Sequence, residues 1–103
     1  MSRPYQQEKF AAFVRNELAK FLEQEFEAGP GVFISLLRVE PKESLASVRA
    51  WVSVWPPEKS ATIEKQLKLV ENRARAYLIS RLSRRRPVTV LFSVVPGIDA
   101  MAT

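Results

Sequence analysis

Residues 32–57 read VFISLLRVEPKESLASVRAWVSVWPP, and the fold turns on this stretch. Val32 to Glu40 is a nearly continuous apolar run, the composition of a strand buried on much of both faces. Pro41-Lys42-Glu43-Ser44 has the residues of a turn. From Leu45 to Trp55 the side chains alternate in part, with Val48, Ala50, Val52 and Val54 on one side and Arg49, Trp51, Ser53 and Trp55 on the other. So short a connection argues for an antiparallel hairpin. Pro56-Pro57 closes the second strand, since proline lacks the amide hydrogen a ladder needs.

Helices are expected on either side. Upstream, Phe10, Phe13, Val14, Leu18, Phe21, Leu22 and Phe26 recur at three- and four-residue steps, which predicts a helix from about Gln6 to Glu27. Ala28-Gly29-Pro30-Gly31 stops it, and the glycines are too few, and lack the lysine, to form a phosphate-cradling loop. Downstream, Ser60 is the expected N-cap of a helix whose apolar row is Ile63, Leu67 and Val70. Helical residues continue to about Arg85, but a straight extension of that row would meet Arg81, while the apolar side has moved to Leu78, Ile79 and Leu82. A kink near Asn72 accounts for the rotation, because Asn tolerates left-handed backbone angles. Pro87 ends the helix, and Val88 to Val95 forms a third strand, which the long helical crossover allows to pair in parallel. The expected architecture is therefore α+β, ordered α-β-β-α-α-β, with helices packed on a three-stranded sheet. Residues 1–95 are expected to form one domain and residues 96–103 a loose tail.

The composition narrows the chemistry. The 103 residues include neither cysteine nor histidine, so disulfides, thiolate metal sites and the commonest general base are all missing. No enzyme activity, metal or cofactor is expected. No stretch has the run of roughly 20 apolar residues that a membrane span requires, and the N-terminal region lacks the apolar core of a signal peptide; a cytoplasmic protein is expected. The net charge of +5 is unevenly placed. Ten basic and ten acidic residues cancel between Met1 and Glu71, whereas six arginines and a single acid, Asp99, follow from Asn72 onward. A localised basic patch points to a polyanion.

The wheel of a helix starting near Arg73 sets Arg73, Tyr77, Arg81 and Arg84 on one arc and Ala74, Leu78 and Leu82 on the inner one. Guanidinium forks match phosphate oxygens, and both Arg and Tyr planes stack on unpaired bases. Ala76, Ser80 and Ser83 lie beside the arc and are small enough for a backbone to come close. Arg85 and Arg86 extend the charge, and Lys65 and Lys68 could widen it. A plain solvated helix face would also favour arginine, but would normally interleave Glu for i,i+4 pairs; no acid occurs from Asn72 to Pro87. Trp51 and Trp55 share one side of a strand and are expected to be covered by the first helix rather than to serve as a stacking platform.

The stretch Val39-Glu40-Pro41-Lys42-Glu43-Ser44-Leu45, followed by Val48-Arg49-Ala50-Trp51-Val52-Ser53-Val54, resembles the ribosome-binding factor A family. So does Asn72 to Leu82 leading to Arg86-Pro87, with Val90 and Phe92 in the closing strand. The likeness covers roughly Phe10 to Val95 and departs from the family pattern at Ser44, where an aspartate is usual, and near Val94, where an acid is usual. It implies a K-homology fold of the second type, in which an alanine-any-glycine kink replaces the Gly-rich RNA-clamping loop. Here that kink aligns with Val70-Glu71-Asn72, Asn standing for Gly. It implies a late-acting maturation factor, likewise without an enzyme's role, that binds the free small ribosomal subunit and its rRNA near the decoding region. Such a factor aids 5′-end processing, is commonly released by a ribosome-associated GTPase, and matters most for growth in the cold. The expected RNA contacts are Asn72, Arg73, Tyr77, Arg81, Arg84, Arg85, Arg86, Lys65 and Lys68, in a monomer that does not touch membranes. Two other readings stay open: a generic K-homology-like binder of single-stranded RNA, and an interaction module whose arginine helix docks an acidic protein.

Overall fold

The alternation read in residues 45–55 becomes the centre of the sheet. In the computed structural model, which describes residues 3–42, 46–82 and 88–95 with side chains from Glu8 onward, helix α1 (Arg3–Glu25) leads into strands β1 (Phe33–Lys42) and β2 (Ser47–Trp55). A 3-10 turn (Pro57–Lys59), helices α2 (Ser60–Leu69) and α3 (Glu71–Arg81) and strand β3 (Thr89–Val94) follow. The strand order is β1-β2-β3, antiparallel across the first pair and parallel across the second. Residues 96–103, expected to be a loose tail, lie outside the described residues.

All three helices cover one face of this sheet. Val48, Ala50, Val52 and Val54 of β2 are buried, as are their partners Val90 and Phe92 on β3. Val14, Leu18, Phe21 and Leu22 of α1, Ile63 and Leu67 of α2, and Ala74 and Leu78 of α3 complete the core, with Phe10, Phe13 and Phe26 packed at its margin. The helical spacing predicted for α1 thus identifies its buried stripe. After α1, Gly29 (φ 102°) and Gly31 (φ 75°) turn the chain through left-handed backbone that a Cβ disfavours.

Three local expectations are corrected. First, β1 is not buried on both faces. It is an edge strand, and Val39 is its one fully buried apolar residue. A register shift between Leu36 and Arg38 inserts an extra residue. The bulge moves the inward phase from Ile34 and Leu36 to Val39 and Pro41, so the apolar run occupies both phases without needing two covered faces. Second, Ser60 is not an N-cap: the 3-10 turn feeds directly into α2, Lys59 holds the capping position, and the Ser60 hydroxyl is buried with no hydrogen-bond partner. Third, the interhelical break exists but centres on Val70 (φ −104°, ψ 7°), which needs no left-handed residue; Asn72 already belongs to the first turn of α3. Helix α3 also ends earlier than expected, with Leu82 extended.

The break lets the junction seal an edge of the sheet. Strand β3 is an outer strand, so the backbone of Phe92 facing away from β2 needs partners. Its N–H donates to Glu71 Oε2 (2.8 Å), and its carbonyl accepts from Lys68 Nζ (2.8 Å). Lys68 and Glu71 are themselves 3.4 Å apart. The two side chains imitate a neighbouring strand for one residue. Glu71→Ala should therefore cost about 1.5–3 kcal/mol in urea unfolding, the range for a hydrogen bond to a charged group. Lys68→Met should cost less, because its side chain is half exposed. Equal, negligible losses would show that the clamp does not hold the strand.

Candidate nucleic-acid interface

On α3, Ala74 and Leu78 face the core, while Asn72, Arg73, Ala76, Ser80 and Arg81 are exposed. The small residues Ala76 and Ser80 therefore form the centre of an open ridge. Arg73, Tyr77 and Arg81 border it on the α1 side, a seam the wheel alone does not reveal. Ser80 is held by donating from Oγ to the Tyr77 carbonyl (2.7 Å).

The acids missing from α3 beyond Glu71 are supplied by its neighbour. Arg73 Nη2 lies 2.7 Å from Glu25 Oε1, and Arg81 Nε lies 3.7 Å from Glu17 Oε1, both carboxylates belonging to α1. Glu17 also meets Lys20 at 3.6 Å. Tyr77 is not a free ring. It packs against Phe21 with centroids 5.5 Å apart, and the Arg81 guanidinium lies 4.6 Å from its centre. Arg81 and Tyr77 thus form a stacked pair at the α1–α3 seam, whereas Arg73 is exposed and bridged only at one end.

The remaining candidates divide. Lys65 is exposed on α2, and Lys68 is engaged in the edge clamp. Arg84, Arg85 and Arg86 lie outside the described residues. Arg75, half-buried and without a carboxylate partner among the described residues, lay outside the predicted arc. It adds to the positive charge of a helix whose only acid is Glu71, the clamp residue.

Trp51 and Trp55 are not covered by α1. They occupy the opposite face of the sheet, because α1 packs where Val48, Ala50, Val52 and Val54 point. On that open face Trp51 sits between two guanidiniums, Arg38 at 5.2 Å and Arg49 at 5.5 Å from the ring centre. Its indole N–H donates to Glu40 Oε1 (3.0 Å), and Arg38 Nε donates to Glu40 Oε2 (3.2 Å). The Trp51 bond holds the Glu40 carboxyl below its ordinary range; burial opposes this, while Arg38 and Lys42 reinforce it. Arg38 and Arg49 were not singled out from the sequence. Their signal was available in the alternation, which puts Arg49 and Trp51 on one side of β2.

Among the described residues, no cluster of three or more His, Cys, Asp or Glu could hold a metal ion, and no helix is long and apolar enough to cross a membrane. The whole arrangement is a three-stranded sheet whose parallel pair is joined by a broken helical crossover.

In fold, the chain matches ribosome-binding factor A.

The crystal structure of that protein from Thermus thermophilus superposes with a TM-score of 0.70 over 85% of this chain and 93% of its own, at 19% identity. The solution structure of a Thermotoga maritima protein, named as a candidate ribosome-binding factor A, gives 0.74 over 86% of each chain at 18% identity. At such identities the likeness is one of fold. No family model matches the chain, and no curated protein does.

The Glu40 network has a pH signature. A carboxyl held low in the folded state stabilises it above the unfolded value of about 4.3, and that contribution is lost as pH falls through the folded value. Glu40→Gln should lower the melting temperature slightly at neutral pH, with the two proteins converging only once the pH has fallen below the lowered folded value of Glu40. The shortfall is small, since solvent screens a carboxylate more than a third exposed. A difference that persists unchanged in acid would assign it to packing instead.

Proposed function

We propose that this protein is a ribosome-binding-factor-like, non-enzymatic assembly factor that binds the free small ribosomal subunit through its rRNA. The observation that carries this reading is the α3 ridge: exposed Ala76 and Ser80 bordered by Arg73 and Arg81, on a fold shared with ribosome-binding factor A. Small residues let a phosphate backbone approach, and the guanidiniums bind its oxygens. Asn72, Arg73, Arg81 and Lys65 would make contacts, joined by Arg84, Arg85 and Arg86. Tyr77, packed on Phe21, would support Arg81 rather than stack on a base. Lys68 is left to the clamp. Late assembly and 5′-end processing of the small-subunit RNA, a cytoplasmic location, a monomeric state and release by a ribosome-associated GTPase belong to the same proposal.

The ion pairs with α1 define how the surface works. Glu25 and Glu17 hold Arg73 and Arg81 in place but offset their charge, so RNA must compete with two exposed or partly exposed carboxylates. The same pairs favour one alternative, an acidic protein partner, because they show these arginines accepting carboxylates. Ribonuclease treatment of bound material separates the two: release supports RNA, and retention supports the acidic protein.

Co-sedimentation with purified small subunits, large subunits and whole ribosomes tests the reading. With roughly four phosphate contacts, affinity for free small subunits should fall on the order of a hundredfold between 50 and 200 mM salt. Arg73→Gln with Arg81→Gln should lower the salt slope by roughly 0.7–0.9 per arginine. Glu17→Gln with Glu25→Gln should tighten binding. Binding to no particle at low salt would overturn the proposal.

A further inference from the structure

The open face of the sheet takes no part in the α3 ridge, yet it collects side chains that a solvated surface does not need. Phe33, Leu37, Trp55 and Leu91 account for four of the five exposed large apolar residues among the described ones. Scattered singly they would be unremarkable. Here they concentrate apolar surface on or beside one face, with Phe33 and Trp55 at one end of it. Phe33 is 66% exposed and Trp55 57%, and the two are direct register partners across β1 and β2. Directly opposed side chains on a sheet start about 5 Å apart, so the two rings leave the sheet from neighbouring positions. Neither has a ring or ionic partner among the described residues.

The charge around them is positive. Among the described residues, Arg38, Lys42 and Arg49 lie on this face against a single carboxylate, Glu40, which is turned onto Trp51 and Arg38. Arg49 makes no ion pair among the described residues, and its Nε is buried without a partner. The Trp51 ring, flanked by Arg38 and Arg49, steadies both guanidiniums. Cations set beside free aromatic faces complement a polyanion that also offers flat rings. A second copy of the chain is a poor occupant, because it would bring the same cations face to face.

We propose that the open sheet face is a second RNA surface, which stacks unpaired bases on Trp55 and Phe33 and takes the adjoining phosphates on Arg38 and Arg49. It rests on reading the chain as RNA-binding, but uses residues and a face separate from α3. Trp51 and Trp55 are four residues apart on one strand, about 13 Å. That span suits a short single-stranded segment crossing the sheet. A duplex keeps its bases stacked inside and would leave these rings unused.

The protein contains two tryptophans, and both lie on this face. Their emission therefore reports on the site directly. The experiment is a titration of the whole chain with a short dye-labelled oligouridylate, following tryptophan quenching and dye anisotropy together. A labelled RNA duplex is the control. Single-stranded RNA is expected to quench emission, and the duplex is not. Trp55→Ala should weaken oligouridylate binding roughly 5- to 150-fold, the range for one lost stacking partner. Trp55→Phe should recover most of it, and Arg73→Gln with Arg81→Gln should leave the quenching in place. Anisotropy that rises without quenching, or that is unchanged in folded Trp55→Ala, overturns the sheet site and leaves the α3 reading standing. Small-subunit binding with no response to oligouridylate overturns it in the same way. No response to any RNA or ribosomal particle overturns both. Quenching by polyglutamate but not by RNA, or by raising the protein concentration alone, overturns it in favour of an acidic protein or a second copy.

Discussion

The burial of every second side chain of β2 is the constraint on which the rest of the molecule depends. Val48, Ala50, Val52 and Val54 are removed from water by helices that can reach only one face of a three-stranded sheet. The period of two then leaves Arg49, Trp51, Ser53 and Trp55 no place except the opposite face. A one-residue slip would bury a guanidinium and two indoles and expose four aliphatic side chains. The hydrophobic term that fixes the register therefore also fixes which residues the protein offers to solvent.

A second consequence concerns charge. The arginines of α3 lie close enough to the acids of α1 that the two helices neutralise one another along their seam. Exposed pairs of this kind contribute little to stability, so their main effect is orientation. Arg73 is held by an exposed carboxylate, and Arg81 is stacked on a tyrosine that is itself packed on Phe21. A polyanion approaching this seam meets guanidiniums already arranged, with less side-chain freedom left to lose.

Much of this was legible in the sequence, and the failures have physical causes. The partial alternation of β2 sorted its side chains into two sets without saying which set faces the helices, while the stripe of α1 placed its buried residues one by one. In β1 the apolar residues fall in both phases, and no periodicity announces a bulge between Leu36 and Arg38. The interhelical break could be inferred from the rotation of the apolar row. Its position at Val70 could not, because a valine with ordinary negative φ carries no turn signature. The absence of acids from Asn72 to Pro87 was visible, but pairing with Glu17 and Glu25 links residues far apart in the chain and appears only once α1 is docked. The same gap explains the tryptophans: alternation showed that Trp51 and Trp55 share a side, and only the placement of all the helices on the other side shows that it is the open one.

Glu71 belongs at once to the first turn of α3 and to the hydrogen bonding of β3. The helix is thereby indexed to the sheet at the end nearest its break, as a lever is pinned close to its pivot. The pin fixes where the helix starts, and Ala74 and Leu78 in the core, with the Arg73–Glu25 and Arg81–Glu17 pairs further along, hold it against swinging about Val70. The ridge is consequently presented at a fixed pitch relative to the strands. Two surfaces on opposite sides of a thin molecule, whose shortest extent is 18 Å, are held in one geometric frame, so that a bound chain of nucleotides would meet both at a set angle rather than by mutual adjustment.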